Sequence, residues 1–489
     1  MNHKIIRLGT LLLCTSSLAQ AQDIIDGGKY AMTSPVGTAR SIGFGNALGS
    51  VGGDFGSLAV NPAGIAVYRS SEFTFTPGFR FSGSDATYTN RGAEKNNNMR
   101  FGINNFGLVF TDAAEGNNYK RSGWKSVSFG MGITRTADYS RIYNYKGDNN
   151  TSSGSQYFEA DALQYPGSTT NDPGTPAFLG YQSYLLNGNY RSLVPYQKGV
   201  TQFRDIQEKG GMTELDFTLG GNYQEKLLLG ATLGIPFVYH KVSKHYTEQT
   251  IDPSVSDSFD NFNYHENFKT NGAGVNIKLG MIYKFTDYFR AGVAFHTPTL
   301  MGLTETSDNS IVTQSVVYRD IAKPVISDQN EYQYQVITPF KTVLSATGML
   351  GKYGFVSLDY EYINYKGMRY YMDDKNLQRN YNQNIKNLFG SASNIRAGLE
   401  LRFDRFMVRG GFGYFGSPYK NIEYQSARTD VSGGLGYRFD DFFIDVAVIN
   451  SSYTTKEQPY VLPAGYTAAP FATIKNNLTT AVFTVGAKF

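Results

Sequence analysis

The sequence carries one cysteine and five histidines in 489 residues. With Cys14 alone, a disulfide-stapled scaffold and a thiolate metal site are both excluded. His240 and His245 stand an odd number of residues apart, so on a strand they face opposite ways. His265 and His296 are isolated in sequence, so no metal centre and no cofactor is expected. No apolar run of about twenty residues occurs beyond the N-terminus, which excludes a helical membrane protein. Charged residues make up 18% and apolar residues 41%, a balance that argues against disorder.

What the chain does have is 53 Gly, 36 Tyr and 34 Phe at a mean hydropathy of −0.34. Aromatics favour strands and glycine disfavours helices. Residues 1–21 read as a secretory signal: Lys4 and Arg7, a short apolar stretch from Leu8 to Leu18, then Ala19-Gln20-Ala21 before Gln22. Its removal takes Cys14 with it and lowers the formal net charge of +4 by two. A nearly balanced chain gives no electrostatic case for a nucleic-acid partner.

From about residue 70 the pattern is alternation with period two. Ala481, Phe483, Val485, Ala487 and Phe489 alternate with Thr480, Thr484, Gly486 and Lys488, Val482 being the exception. Ile395, Ala397, Leu399 and Leu401 alternate with Arg396, Gly398, Glu400 and Arg402. Val431, Gly433, Leu435 and Tyr437 do so with Ser432, Gly434, Gly436 and Arg438. Tight turns at Gln224-Glu225-Lys226, Thr286-Asp287, Gly351-Lys352, Asp404-Arg405 and Asp440-Asp441 alternate with longer polar connections, the longest near 147–210. Aromatics such as Tyr283, Phe285, Tyr437 and Phe439 flank the turns as an interfacial girdle would.

The expected fold is all-β: a transmembrane antiparallel barrel of about 14 strands, beginning near Glu72, with Tyr332 among the strand starts. An even count puts both termini on the periplasmic side. The C-terminal Phe489 is a candidate assembly signal, read by the barrel assembly machinery. Inward charges at Asp359, Glu361, Arg396, Glu400, Arg402, Arg409, Arg438 and Asp445 are expected to pair with one another or, alternatively, to receive a carboxylate.

Residues 22–70 show no alternation and are dense in small residues, which suits an N-terminal hatch plugging the lumen of a barrel at 71–489. Gly43-Phe44-Gly45-Asn46-Ala47-Leu48-Gly49 lacks the strand that a dinucleotide-binding turn needs before it.

These passages resemble the FadL-type outer-membrane transporters of long-chain fatty acids and other hydrophobic compounds. Ser57-Leu58-Ala59-Val60-Asn61-Pro62-Ala63-Gly64 is similar to the family's hatch motif. Gly272 to Tyr283, Arg290-Ala291-Gly292, His296-Thr297-Pro298 and Thr338-Pro339 follow the family's order. So do Arg396 to Glu400, Arg409 to Tyr414 and Ser417-Pro418-Tyr419. The resemblance covers nearly all of the chain after the signal, except the loop near 147–210. It implies a hatch-blocked barrel in the outer membrane of a Gram-negative bacterium, monomeric and surrounded by outer-membrane lipid. It also implies a route of loop capture, hatch rearrangement and sideways exit through the wall, for fatty acids or hydrocarbons.

Candidate site residues follow. Asn61, Pro62 and Ala63 form the hatch turn. Phe178, Leu179, Tyr181, Tyr184, Leu185 and Leu186 are a candidate hydrophobic capture stretch, or the small core of their own loop. Gly130 and Gly132 are candidates for a kink in the wall, since glycine marks bends in strands. The competing classes are a diffusion porin, a surface adhesin and an outer-membrane lipolytic enzyme. The last would need a nucleophile and base in reach, and His240 with Ser243, the only close pair, points apart on one strand. No catalytic residue is assigned.

Overall fold

The computed structural model describes residues 28–32, 34, 37–252, 254, 259–315 and 323–489. The signal segment and the first residues of the 22–70 stretch lie outside them. Among the described residues, nineteen strands form one antiparallel sheet. The first ten are β1 (Glu72–Thr87), β2 (Glu94–Ala113), β3 (Trp124–Asp138), β4 (Arg141–Asn149), β5 (Val200–Tyr223), β6 (Leu227–Thr250), β7 (Asn261–Lys284), β8 (Phe289–His296), β9 (Leu300–Gln314) and β10 (Val325–Ile326). The remainder are β11 (Asn330–Ile337), β12 (Lys341–Met349), β13 (Gly354–Asn364), β14 (Arg369–Tyr371), β15 (Ser391–Phe403), β16 (Phe406–Phe415), β17 (Arg428–Arg438), β18 (Phe442–Glu457) and β19 (Ala472–Lys488).

Fourteen of these close a barrel: β1, β2, β3, β5, β6, β7, β8, β12, β13, β15, β16, β17, β18 and β19. Pairing of Glu72 with Lys488 through Thr87 with Thr473 seals the ring. Closure pairs the backbone polar groups around the ring, except where β2 and β3 part above Asn105 and Thr134. The other five strands lengthen the wall at the long-loop end. One expectation is corrected here. The strand at Tyr332 is an extension (β11) paired with β9 and β14, and the wall strand begins at Lys341. Proline has no N–H to give a ladder, so the sheet breaks at Pro298 and Pro339. Threonines bridge the break, with Thr299 N donating to Thr338 Oγ1 at 2.9 Å.

Alternation assigns the faces. Val431, Leu435, Leu399 and Phe483 are exposed on the outer surface, while Arg396, Glu400, Arg409 and Thr484 are buried inside. An apolar exterior over a polar interior is the arrangement of a membrane barrel.

Residues 38–68 sit within the ring. They contact strands all around it: Ala39 N donates to Thr484 Oγ1 at 2.7 Å on β19, and Arg40 Nε to Glu400 at 2.9 Å on β15. Gly49 N donates to Asp359 at 3.0 Å on β13, and His296 Nε2 on β8 donates to Val60 O at 2.9 Å. Val482, which broke the alternation, faces inward and packs on Ala39 and Ile42.

Candidate functional site

The turn at Asn61 is built by its own side chain. Asn61 Oδ1 accepts from Ala63 N at 3.1 Å and caps the short helix Pro62–Val67, with Pro62 at its first position. Its Nδ2 donates to Gly49 O at 2.6 Å and lies 3.4 Å from Met281 O and Val293 O on the wall. The wall facing it is stripped of side chains. A Cβ on Gly280 would stand 1.9 Å from Asn61 Oδ1, and one on Gly230 would stand 2.3 Å from the Pro62 carbonyl carbon.

Charges line the lumen in linked pairs. Arg409 donates to Glu400 at 2.7 Å and to Asp445 at 2.6 Å, and Arg438 reaches Asp445 at 3.0 Å. Arg396 faces Asp359 and Glu361 at 3.6 and 3.7 Å. Arg402 stands apart, exposed at the short-turn rim. Arg40 joins this network from the N-terminal segment, so seating that segment completes the wall's ion pairs.

Above the segment lies a cavity of about 390 Å³. Tyr139, Tyr143, Tyr419, Tyr424 and Tyr453 line it, with Lys29, Arg80, Arg141, Arg204, Lys244, Arg428 and Lys456 against only Asp138, Glu208 and Glu457. The lining is therefore amphipathic, and three of its cations take partners outside it: Arg204 pairs with Glu266, Arg428 with Asp430 and Lys456 with Glu423.

The wall beside this cavity is unpaired. β2 and β3 pair from Ala113 with Ser126 up to Asn105 with Thr134, and there stop. Beyond that level β2 continues on β1 alone, and β3 followed by β4 on β5 alone. Buried backbone groups at such a break need partners. Gly210 O accepts from Arg100 at 3.0 Å and Arg135 at 2.7 Å, and Thr136 O accepts from Ser34 N at 3.0 Å. Higher up, Asn96 and Asn144 bridge at 3.2 Å.

A narrow space of about 30 Å³ occupies this window. Ser34, Arg80, Ala137 and Asp138 line both it and the cavity. Phe79 and Phe101 line both it and an apolar outer groove of about 590 Å³. Arg80 Nε is buried there without a hydrogen-bond partner among the described residues. Neither Arg80 nor Ser34 stood out in the sequence; a mark that was legible is the inward arginine on an otherwise apolar-alternating strand.

Comparison with solved structures places this architecture. The toluene transporter TbuX of Ralstonia pickettii is 15% identical, at TM-score 0.53 over 93% of this chain and 98% of its own. The toluene transporter TodX of Pseudomonas putida is 13% identical, at 0.54 over 94% and 100%. A Pseudomonas aeruginosa FadL homologue is 11% identical, at 0.58 over 94% and 100%. The fold is that of the FadL-type transporters. No protein-family model matches the sequence, and no curated protein does.

Within the FadL-type barrel the other candidate residues fall as follows. Gly130 and Gly132 lie in the regularly paired lower half of β3 and face the lumen. They make room for the N-terminal segment: Cβ atoms there would stand 2.5 Å from Ile65 Cδ1 and 2.6 Å from Phe55 Cζ. The register of β3 against β5 shifts instead between Trp124 and Ser126, at the start of the strand, and between Arg135 and Ala137, beside the window. Leu179, Leu185 and Leu186 are buried in a core that their loop forms with Phe262 of β7 and Ile311 of β9, so they form no open groove. Phe178 packs against that core partly buried, Tyr181 is half-buried and Tyr184 is exposed. Phe489 sits at the sealing strand pair, edge-on to Phe110 with ring centroids 6.2 Å apart. His240 and His245 do face opposite ways, but His265 is not alone: it stacks on His245 at 4.0 Å.

Proposed function

We propose that this protein takes up hydrophobic molecules across the outer membrane. The ligand enters at the extracellular loops, rests in the tyrosine-lined cavity, and leaves sideways between β2 and β3 when the N-terminal hatch shifts. The observation that carries this reading is the unpaired window, which shares Arg80, Ala137 and Asp138 with the interior cavity and Phe79 and Phe101 with the outer groove. Lateral exit suits a greasy cargo, because it passes from protein to lipid without crossing water.

The preferred cargo in this reading is an anionic amphiphile such as a long-chain fatty acid. Its chain would lie against the tyrosines and its carboxylate against Arg80, whose buried Nε has no hydrogen-bond partner among the described residues. A second reading is a neutral monoaromatic hydrocarbon, the cargo named for TbuX and TodX; such a molecule would leave the buried Arg80 Nε without an acceptor.

Uptake of radiolabelled oleate and of toluene by proteoliposomes tests the choice. Saturable oleate uptake is expected, with little toluene uptake. Large steady conductance in planar bilayers would mean an open lumen and would sink the hatch in favour of a porin.

A further inference from the structure

On the outer face of the barrel, Lys209 of β5 stands opposite Lys241 of β6, and Lys241 stands opposite Lys269 of β7. All three are exposed, and alternation directs all three outward. Like charges placed directly opposite on neighbouring strands repel. None of the three makes an ion pair among the described residues. The nearest outward carboxylates are Asp308, diagonal to Lys269 on β9 and accepting from Asn267 Nδ2 at 3.0 Å, and Glu331, on β11 two strands beyond Lys269 with Thr306 between them.

The height of the row is what gives it meaning. It lies two residues above the exposed Tyr239 and four above the exposed Phe237, at the top of the apolar band on β6. An outward aromatic marks the interface between hydrocarbon and head groups, and lysines just beyond it stand among those head groups. Strand neighbours are spaced by about 4.8 Å, so three ammonium groups span roughly one phosphorylated head group.

We propose that Lys209, Lys241 and Lys269 form a site on the barrel wall for the phosphate groups of an anionic outer-leaflet lipid. The phosphates bridge the three ammonium groups, and the acyl chains run down over Tyr239 and Phe237. The row ends beside Gly210, whose carbonyl holds Arg100 and Arg135 at the window, so the bound lipid stands next to the proposed exit. The site is independent of what passes through the lumen.

The test is native mass spectrometry of the purified full chain in detergent. The probes are a diphosphoryl glycolipid of the lipid A type, its phosphate-free form, and inorganic phosphate. The wild type should bind the phosphorylated lipid in preference. Each lysine near a charged membrane surface is worth about fivefold, so K209Q/K241Q/K269Q should lose about a hundredfold of that preference. The triple Lys→Arg variant should keep it, and so should K366Q/K375Q/K386Q, whose exposed lysines lie elsewhere at the same end. An unchanged preference in the Gln variant overturns the site, as does equal binding of the phosphate-free lipid. Displacement of the lipid by inorganic phosphate would reveal an anion site and not a lipid site, and also overturns it. Should the triple Gln variant fail to fold, K241Q alone decides, with about a fivefold loss expected and no loss counting against the site.

Discussion

Ser34 donates its backbone N–H to the carbonyl of Thr136 at 3.0 Å, at the level where β3 has lost β2 as a neighbour. A single residue of the N-terminal segment thus replaces a missing strand, and Asp138 N returns a contact to Ser34 Oγ at 3.4 Å. If the window opens only when this contact parts, tying it shut must stop transport. Cys14 is the only native cysteine, so S34C/T136C can be oxidised cleanly. Oleate uptake should fall to background when oxidised and return on reduction. Full uptake by the oxidised protein would show that Ser34 does not gate the window.

Arg80 supplies the second expectation. Its guanidinium is shared between cavity and window, with a buried Nε left unpartnered. A hydrogen bond to a charged group contributes about 1.5–3 kcal/mol, so Arg80→Gln should weaken oleate binding by roughly 10- to 100-fold. Binding of the uncharged methyl ester should hardly change, and Arg80→Lys should restore most of the loss. Equal losses for acid and ester would point to packing and not to recognition of charge.

Much of this was legible in the sequence, for a physical reason: alternation with period two and turn chemistry are local. They located the barrel, its tight turns and the inward charges. The missing parts depend on contacts distant in sequence. Val482 looked like an error in the pattern until Ala39 and Ile42 were seen to cover it. Tyr332 begins a well-alternating strand, and alternation is silent about whether that strand stands in the wall or above it. Leu185 and Leu186 could be read either as a capture stretch or as the core of their own loop, because their partners Phe262 and Ile311 lie on distant strands. The window is a pairing that stops, and no residue type announces that.

The glycine-lined seat of Asn61 makes a packing prediction. A Cβ at Gly280 would collide with Asn61 Oδ1, and overpacking of this kind costs about 1–3 kcal/mol. Gly280→Ala should therefore lift the Asn61 turn from the wall, while β6, β7 and β8 stay paired. Planar-bilayer recording should show brief openings absent from the wild type. Asn61→Ala, which forfeits a cap of about 1 kcal/mol and the bond to Gly49 O, should do the same with no clash. A silent bilayer for both variants would mean that the turn does not hold the segment in place.

The last expectation concerns pH at the large loop. Asp161 is buried on the helix Ser155–Gln164 and accepts from Ala177 N at 2.9 Å, the first turn of the helix Pro176–Gln182. Burial pushes its carboxyl above the ordinary value, the Ala177 N–H offsetting only part of that push. The folded loop therefore holds this proton more tightly than the unfolded loop does. Its contribution to stability is present in full below the unfolded value, about 3.9, and is lost as pH rises through the higher folded value. Asp161→Asn keeps an acceptor for Ala177 N and removes the ionisation. Hydrogen exchange of residues 155–186 should show the variant better protected than the wild type at neutral pH, with the difference closing on acidification. A difference that does not vary with pH would mean that Asp161 acts only as a cap.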